Sequence, residues 1–482
     1  MLSTSLTVWS LIRFKEIRQG VEPAVLIGEV DIGDPGATVD SWRFQAPGTL
    51  AMDGRLGHHT LPSAAPSETY LYVQVKAPTG SQAVKSAPLD LAIVIDRSGS
   101  MQGKRLRNAV DAARGMVRRL RDGDVVSIIT YNTKTETLVP RTSITAGTRE
   151  QIVSEISGIR AAGDTCISCA IDTAMQALAV QNGMIKRMLL LSDGQATAGI
   201  RDVAGFRTLA ERARSRGMPI SSVGVDVDYN ERIMTAIAQQ SNGRHYFVEN
   251  AAGLPNVFDR ELESLTRTVA VGAQLRLELA PDVRLLDVFD RTFEREGSTI
   301  VVPLGGFAQG DEKTLLAKVS VRPGAVGHQV LAKVRVVYDD LVTTEAGEGG
   351  GELTALFSPE ASNLPDLDPL VAGRLGRSET AATLVRANQL FAAGNIQGAI
   401  SALASKRAEL SERMLTASRA APESQRAEVK ADFDRQLAAL DAANLSFNES
   451  AKKAKGKAAA SRTRASRAQV RRNAADAFSM AF

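Results

Sequence analysis

Leu91-Ala92-Ile93-Val94-Ile95 runs directly into Asp96-Arg97-Ser98-Gly99-Ser100. Five consecutive aliphatic residues without a polar break read as a strand buried on both faces, as in a parallel sheet covered by helices. The run ends in a carboxylate and two hydroxyls at alternate positions, so three hard oxygens leave the sheet at one spot. Ligands collect at the carboxyl ends of parallel strands, and hard oxygens there suit a small hard cation such as Mg²⁺.

Two further segments extend the pattern. Gly163-Asp164-Thr165-Cys166-Ile167-Ser168 is a glycine-containing loop ahead of a helical stretch, and Arg187-Met188-Leu189-Leu190-Leu191-Ser192-Asp193-Gly194 is a second aliphatic strand ending in a carboxylate. Around these, the chain from 89 to about 265 alternates strand and helix patterns. Strands are predicted at Leu91–Ile95, Val125–Tyr131, Met188–Ser192, Ile220–Val225 and His245–Val248, and helices at Lys104–Arg121, Ala170–Val180, Val203–Arg216 and Glu231–Gln240. In the first helix Leu106, Val110, Ala113, Val117 and Leu120 recur at three- and four-residue steps with Arg and Lys between them, which gives one apolar face and one solvated face. This alternation predicts a doubly wound, mainly parallel, Rossmann-like α/β sheet.

The set Asp96, Ser98, Ser100, then Thr165 in a loop, then Asp193 at a strand end resembles the metal-ion-dependent adhesion site (MIDAS) of von Willebrand factor A domains. From about Tyr72 onward the chain is similar to a bacterial and plant family that pairs this domain with a β-rich segment and a C-terminal helical region. The supporting motifs are Val75-Lys76-Ala77-Pro78, Pro88-Leu89-Asp90-Leu91, Leu191-Ser192-Asp193-Gly194-Gln195, Ser241-Asn242-Gly243 and Val302-Pro303-Leu304-Gly305. The resemblance implies Mg²⁺ (or Mn²⁺) held by Ser98, Ser100 and Thr165, with Asp96 and Asp193 bound directly or through water, and a Glu or Asp of a partner protein completing the octahedron. Two ionised aspartates and one divalent cation sum to zero, so the ion keeps affinity for one more anion. The resemblance also implies, as an alternative, an adaptor for an AAA+ ATPase, since some intracellular relatives have that role. Plant relatives often carry a RING zinc module; this chain lacks the cysteines and histidines for one, so ligase activity does not transfer.

The remaining segments frame this domain. At 482 residues the chain is long enough for roughly three domains. Residues 1–88 read as strands and loops, with strands predicted at Leu6–Phe14, Ala24–Ile32 and Thr69–Lys76 and turn chemistry from Gly33 to Ser67. Residues 266–358 alternate apolar and polar positions over Gln274–Leu279, Val283–Val288, Thr299–Leu304, Thr314–Val321 and Gln329–Val337, the pattern of an antiparallel sandwich. Residues 1–88 and 266–358 are therefore predicted to form one antiparallel β-sandwich in which the α/β domain is inserted. Gly347–Gly351 is read as an exposed turn. Residues 359–482, rich in Ala, Leu, Arg and Glu, form a C-terminal helical region, with a break at Pro422 and a restart at Glu423.

Charge is nearly balanced, with 58 basic against 54 acidic residues, which excludes a global preference for nucleic acid or membrane. The tail is the exception: Ala451 to Ala474 contains Lys452, Lys453, Lys455, Lys457 and five arginines from Arg462 to Arg472, and no acid. Such a segment suits nucleic acid, anionic lipid or an acidic partner. Without interleaved aromatics, base stacking has no support, and the competing reading is a solvated helix packed beside the acidic residues of 423–434. The two cysteines, Cys166 and Cys169, make no disulfide framework. At the start of a helix they are either small packing residues or a C-x-x-C redox pair beside Thr165. No segment reads as a transmembrane span or signal peptide, which predicts a cytoplasmic protein. No Walker-type phosphate loop and no Ser–His–acid set appear, and a DxDx phosphotransferase would need a carboxylate where Ser98 stands. A binding module rather than an enzyme is expected.

Overall fold

The computed structural model describes residues 43–79, 87–178, 183–193, 195–361, 364, 366–453 and 463–481. The strands predicted at Leu6–Phe14 and Ala24–Ile32 lie outside them. Three sheets and a helical bundle make up the described chain.

The central sheet holds β5 (Leu89–Asp96), β6 (Val125–Tyr131), β7 (Thr135–Ser143), β8 (Ile185–Ser192), β9 (Ile220–Val225) and β10 (His245–Val248), in the order β10-β9-β8-β5-β6-β7. All neighbours are parallel except β7, which runs antiparallel to β6 at the edge. Every residue of β5 is buried, because its alternating side chains enter two different cores. Leu91, Ile93 and Ile95 pack with α1 (Lys104–Arg119), α2 (Ala146–Ser157) and α6 (Leu254–Thr266). Ala92 and Val94 pack with α3 (Ile167–Ala177), α4 (Val203–Ser215) and α5 (Glu231–Ser241) on the opposite face. This is the doubly wound architecture that an unbroken aliphatic strand demands. From β5 the chain first builds outward through β6 and then returns to β8 on the other side, so β5 lies at the topological switch point, where such sheets open a crevice.

The flanking sheets draw on both sides of this domain. One has the order β1-β2-β4-β15-β12, from Arg43–Ala46, Ala51–Leu56, Ser67–Lys76, Glu312–Val321 and Val283–Val288. The other has the order β13-β14-β11-β16-β17-β3, from Glu294–Glu296, Thr299–Ala308, Thr268–Leu279, Gly327–Asp340, Ala346–Ser358 and Thr60–Pro62. β4 pairs antiparallel with β15 along its whole length, from Ser67↔Val321 to Lys76↔Glu312. The inward residues of both sheets, among them Leu71, Val73, Leu315, Leu275, Val302 and Leu353, share one apolar core.

Two sequence expectations are corrected here. The stretch Gly33–Ser67, read as turns, holds β1, β2 and β3 in its described part. Gly347–Gly351, read as an exposed turn, lies within β17 and pairs with β16 from Val334↔Gly351 to Tyr338↔Gly347. The glycines have a packing reason: a Cβ at Gly351 would stand 2.3 Å from the Phe44 ring, and one at Gly347 2.2 Å from the Tyr338 ring.

The C-terminal region folds as α7 (Pro369–Ala392), α8 (Ile396–Ala420), α9 (Glu423–Lys453) and α10 (Arg464–Ala481). Its core includes Leu384, Leu403, Phe433 and Leu440, with Phe391 stacked on Phe447 at 4.0 Å. Arg374 of α7, fully buried, ties the bundle to the sheets by donating to Thr314 Oγ1 at 2.7 Å and pairing with Asp290 at 3.0 Å. No helix among the described residues is long and apolar enough to cross a membrane.

Candidate functional site

At the carboxyl ends of β5 and β8 four of the predicted residues form one hydrogen-bonded string. Asp96, the last residue of β5, accepts from the Ser98 amide at Oδ1 (2.9 Å) and from the Ser192 hydroxyl at Oδ2 (3.0 Å). Ser98 Oγ lies 2.9 Å from Ser100 Oγ, and Ser100 Oγ donates to Asp193 Oδ1 at 2.6 Å. Thr165 reaches this string through the backbone of its loop. The Gly99 amide donates to Gly163 O at 2.9 Å and the Ala162 amide to Arg97 O at 2.8 Å. The Thr165 amide donates to Thr197 Oγ1 at 2.9 Å, and Thr165 O accepts from the Thr197 amide. Gly163 sits at φ +78°, and a Cβ there would come within 2.9 Å of Thr133 Oγ1, so the loop's close approach requires glycine.

Burial sets the electrostatics. Asp96 is fully buried, and desolvation pushes its carboxyl up to about 6, with the Ser98 hydrogen bonds opposing the shift and the nearby Asp193 adding to it. Desolvation also raises Asp193, against the pull of the Ser100 hydroxyl and the Arg105 guanidinium. Ser100 is exposed while Asp96, Ser98, Thr165 and Asp193 are buried, so the string is open to solvent on one side. Two buried carboxylates and the hydroxyls of Ser98 and Ser100 form an oxygen-only string of a kind that fits a small hard cation. Among the described residues no group of three His, Cys, Asp or Glu side chains gathers at one point, so a cation here would depend on the hydroxyls as well as on the two carboxylates.

Three neighbours escaped the sequence reading. Tyr131, at the end of β6 and fully buried, donates to Leu191 O at 2.6 Å beneath the string. Arg105, in the first turn of α1, donates from Nη1 to Asp193 Oδ2 and to Ser100 O, both at 2.9 Å, and from Nη2 to Asp226 Oδ2 at 2.5 Å. Asp226 follows β9 as Asp96 ends β5 and Asp193 follows β8, so a carboxylate at the end of a buried parallel strand marks all three. Asp226 adopts φ +67°, a conformation that aspartate tolerates better than most residues. Its carboxyl is lowered: burial opposes this but is outweighed by the Val227 amide and the Arg105 guanidinium.

Cys166 and Cys169 are joined to each other as a disulfide, so of the two sequence readings the bonded C-x-x-C pair, not two separate packing residues, describes them. The bond spans the first turn of α3 directly after Thr165, and Cys166 is buried.

The basic tail is also relocated. Its described arginines turn toward the acidic loops beside the site, not toward the acids of 423–434. Arg464 pairs with Asp226 at 2.7 Å and Arg472 with Glu249 at 2.5 Å, while Arg467 pairs with Asp228 and Arg471 with Glu231. The acids of α9 have other partners: Glu428 pairs with Lys76, Asp434 with Lys430, and Asp432 with Arg435.

Residues 90–260 match the family model described as the von Willebrand factor type A domain. This segment is a von Willebrand factor A domain. The chain is 26% identical over 297 residues to an uncharacterized protein of Synechocystis sp., covering 59% of this chain and 70% of that protein. It is 29% identical over 196 residues to the uncharacterized protein YfbK of Escherichia coli, covering 40% of this chain and 34% of YfbK. Over 186 residues it is 26% identical to human inter-alpha-trypsin inhibitor heavy chain H4, covering 36% of this chain and 20% of the heavy chain. Among solved structures, a von Willebrand factor type A protein from Catenulispora acidiphila superposes with a TM-score of 0.66 at 17% identity, over 78% of this chain and 90% of that one. The ArnB paralog VWA2 from Sulfolobus acidocaldarius gives 0.53 at 18% identity, over 82% and 98%. These likenesses extend the shared fold past the von Willebrand factor A domain into the flanking sheets and helices.

Proposed function

We infer that this protein is a divalent-cation-dependent protein-interaction module, not an enzyme. Its von Willebrand factor A domain would hold Mg²⁺ or Mn²⁺ with Ser98, Ser100 and Thr165, and with Asp96 and Asp193 directly or through water. The ion would supply an electrophilic docking point for a partner's Glu or Asp carboxylate. The observation that carries the reading is the string from Asp96 through Ser98 and Ser100 to Asp193, which joins the ends of two adjacent parallel strands and is open on the side of Ser100. The chain's own contribution is position and charge. β5 and β8 fix the two carboxylates, the loop that carries Thr165 is tied to the Asp96–Ser100 turn through Ala162 and Gly163, and burial makes both carboxylates poorly solvated anions that favour a cation.

The test is a Mn²⁺ titration of the full chain followed by electron paramagnetic resonance of the free ion. Binding of one ion, lost in Asp96→Ala and weakened in Thr165→Ala while both variants keep the wild-type circular dichroism, supports the reading. Equal binding by all three proteins, or binding by none, overturns it.

A further inference from the structure

We propose that the C-terminal helix α10 is a built-in negative regulator of the cation site, acting through Asp226 as a carboxylate shared between Arg464 and Arg105. The proposal rests on the cation reading of the von Willebrand factor A domain and concerns the regulation of that same site.

The geometry is a relay of alternating charge. Arg464, the first residue of α10, holds Asp226 Oδ1 at 2.7 Å, and Arg105 holds Asp226 Oδ2 at 2.5 Å. The other arm of the Arg105 guanidinium holds Asp193 Oδ2 at 2.9 Å. Arg105 thus places a positive charge on one of the two carboxylates a cation would need, with a second hydrogen bond to Ser100 O. How firmly Arg105 stays on Asp193 depends on how much of Asp226 it has to itself. With Arg464 in place, one oxygen of Asp226 is committed to α10 and the charge of Asp226 is divided between two guanidinium groups. Without Arg464, Asp226 becomes the undivided counterion of Arg105 and draws it off Asp193. Removal of Arg464 also takes one positive charge from the neighbourhood. Both changes favour an incoming cation, so docking of α10 and binding of the cation oppose each other.

α10 is placed to carry such a signal because it belongs to the bundle on one face and to the von Willebrand factor A domain on the other. Its inner face is locked to α7, where Asn473 donates to Asn388 Oδ1 at 2.9 Å and Asn388 donates to Val470 O at 3.0 Å. Its outer face carries Arg464, Arg467, Arg471 and Arg472, paired with Asp226 and Asp228 of the loop after β9, Glu231 at the start of α5 and Glu249 after β10. Arg471 additionally lies over the Tyr229 ring at 5.2 Å. A partner or an ionic condition that shifts the bundle relative to these loops would act first on the exposed Arg464 end, whose side chain is 56% accessible. Reciprocity requires the converse: a bound cation loosens the first turn of α10 by the same coupling.

The test is a Mn²⁺ titration of the full chain, comparing the wild type with Arg464→Ala, Arg467→Ala, Asp226→Asn and the Arg464→Ala/Asp226→Asn double variant. Arg464→Ala is expected to bind Mn²⁺ about fivefold more tightly than the wild type, at the lower end of site-to-site coupling. Arg467→Ala removes the same charge from the same helix but not from Asp226, and is expected to change affinity less than twofold. In the Asp226→Asn background the Arg464→Ala gain falls below twofold, the effect of the lost charge alone, because the shared carboxylate is gone. The reciprocal readout is faster amide exchange at the first turn of α10 when Mn²⁺ is added. Mn²⁺ binding that is equal in the wild type and Arg464→Ala, or a gain equal in Arg464→Ala and Arg467→Ala, overturns the relay and leaves the cation site standing. Absence of Mn²⁺ binding in every protein overturns both.

Discussion

Asp96 shows how much one side chain can determine. It is enclosed on every side, and its carboxyl is pushed up to about 6 by desolvation. A cation must displace the proton from this group, so Mn²⁺ affinity should hold steady above pH 7 and weaken by up to about tenfold per pH unit below 6. Titrations at pH 7.5, 6 and 5 measure this, and an affinity that is flat across that range would separate Asp96 from the ion. Without the cation the same burial penalises the charged form, so the folded state binds a proton more readily than the unfolded chain between about 4 and 6. Asp96→Asn should therefore stabilise the cation-free protein at pH 7.5 by at most about 3 kcal/mol, with the gain shrinking as pH falls below 6, as read by urea denaturation in EDTA. The cysteines permit a simpler check. Iodoacetamide should label neither until a reductant is added, and then Cys169 before the more deeply buried Cys166, as mass spectrometry after timed quenching would show. At this scale the sequence was informative where a carboxylate ended an unbroken aliphatic run, as at Asp96 and Asp193. Asp226 carries no such mark, because Ile220–Val225 is broken by Ser221, Ser222 and Gly224 and Val225-Asp226-Val227-Asp228 reads as an ordinary acidic turn. Arg105 was passed over as well, because an arginine in the first turn of an amphipathic helix is usually a solvated residue.

Among elements, the parallel strands were the most legible, since β6, β9 and β10 begin and end where the sequence reading places them. β7 was missed because it is an edge strand with mostly exposed polar residues and no period to read. The Gly347–Gly351 run misled for a physical reason. Glycine usually signals a turn, but here it makes room for the Phe44 and Tyr338 rings against a strand. Gly351→Val should accordingly destabilise the fold by about 1–3 kcal/mol despite its favourable strand propensity, measurable as a lower urea midpoint. The bundle's attachment depends on Arg374, which is wholly enclosed and faces Asp290. Arg374→Ala leaves that carboxylate without its cation and should cost about 3–5 kcal/mol; a loss below 1 kcal/mol would show that the contact contributes nothing to holding α7 on the sheets.

At the level of the whole molecule, the salt dependence of the α10 contacts distinguishes surface attraction from packing. The four arginine pairs lie at least partly in solvent, whereas Asn388, Asn473 and Ala477 are buried. Raising NaCl from 50 mM to 1 M should speed amide exchange on the arginine face of α10 while leaving α7 protected. That the flanking strands share sheets could be anticipated from their lack of other partners. Strand order could not, because register between segments so far apart in sequence depends on three-dimensional packing and not on local pattern. The pairing of β4 with β15 has a consequence for biosynthesis. As the polypeptide leaves the ribosome, Ser67–Lys76 emerges long before Glu312–Val321 exists to cover it. The α/β domain, all of whose strands lie in one continuous segment, can fold during that interval. Nascent β4 must meanwhile wait as an open edge, which is where a chaperone would be needed first and where a translational pause before residue 312 would do the most harm.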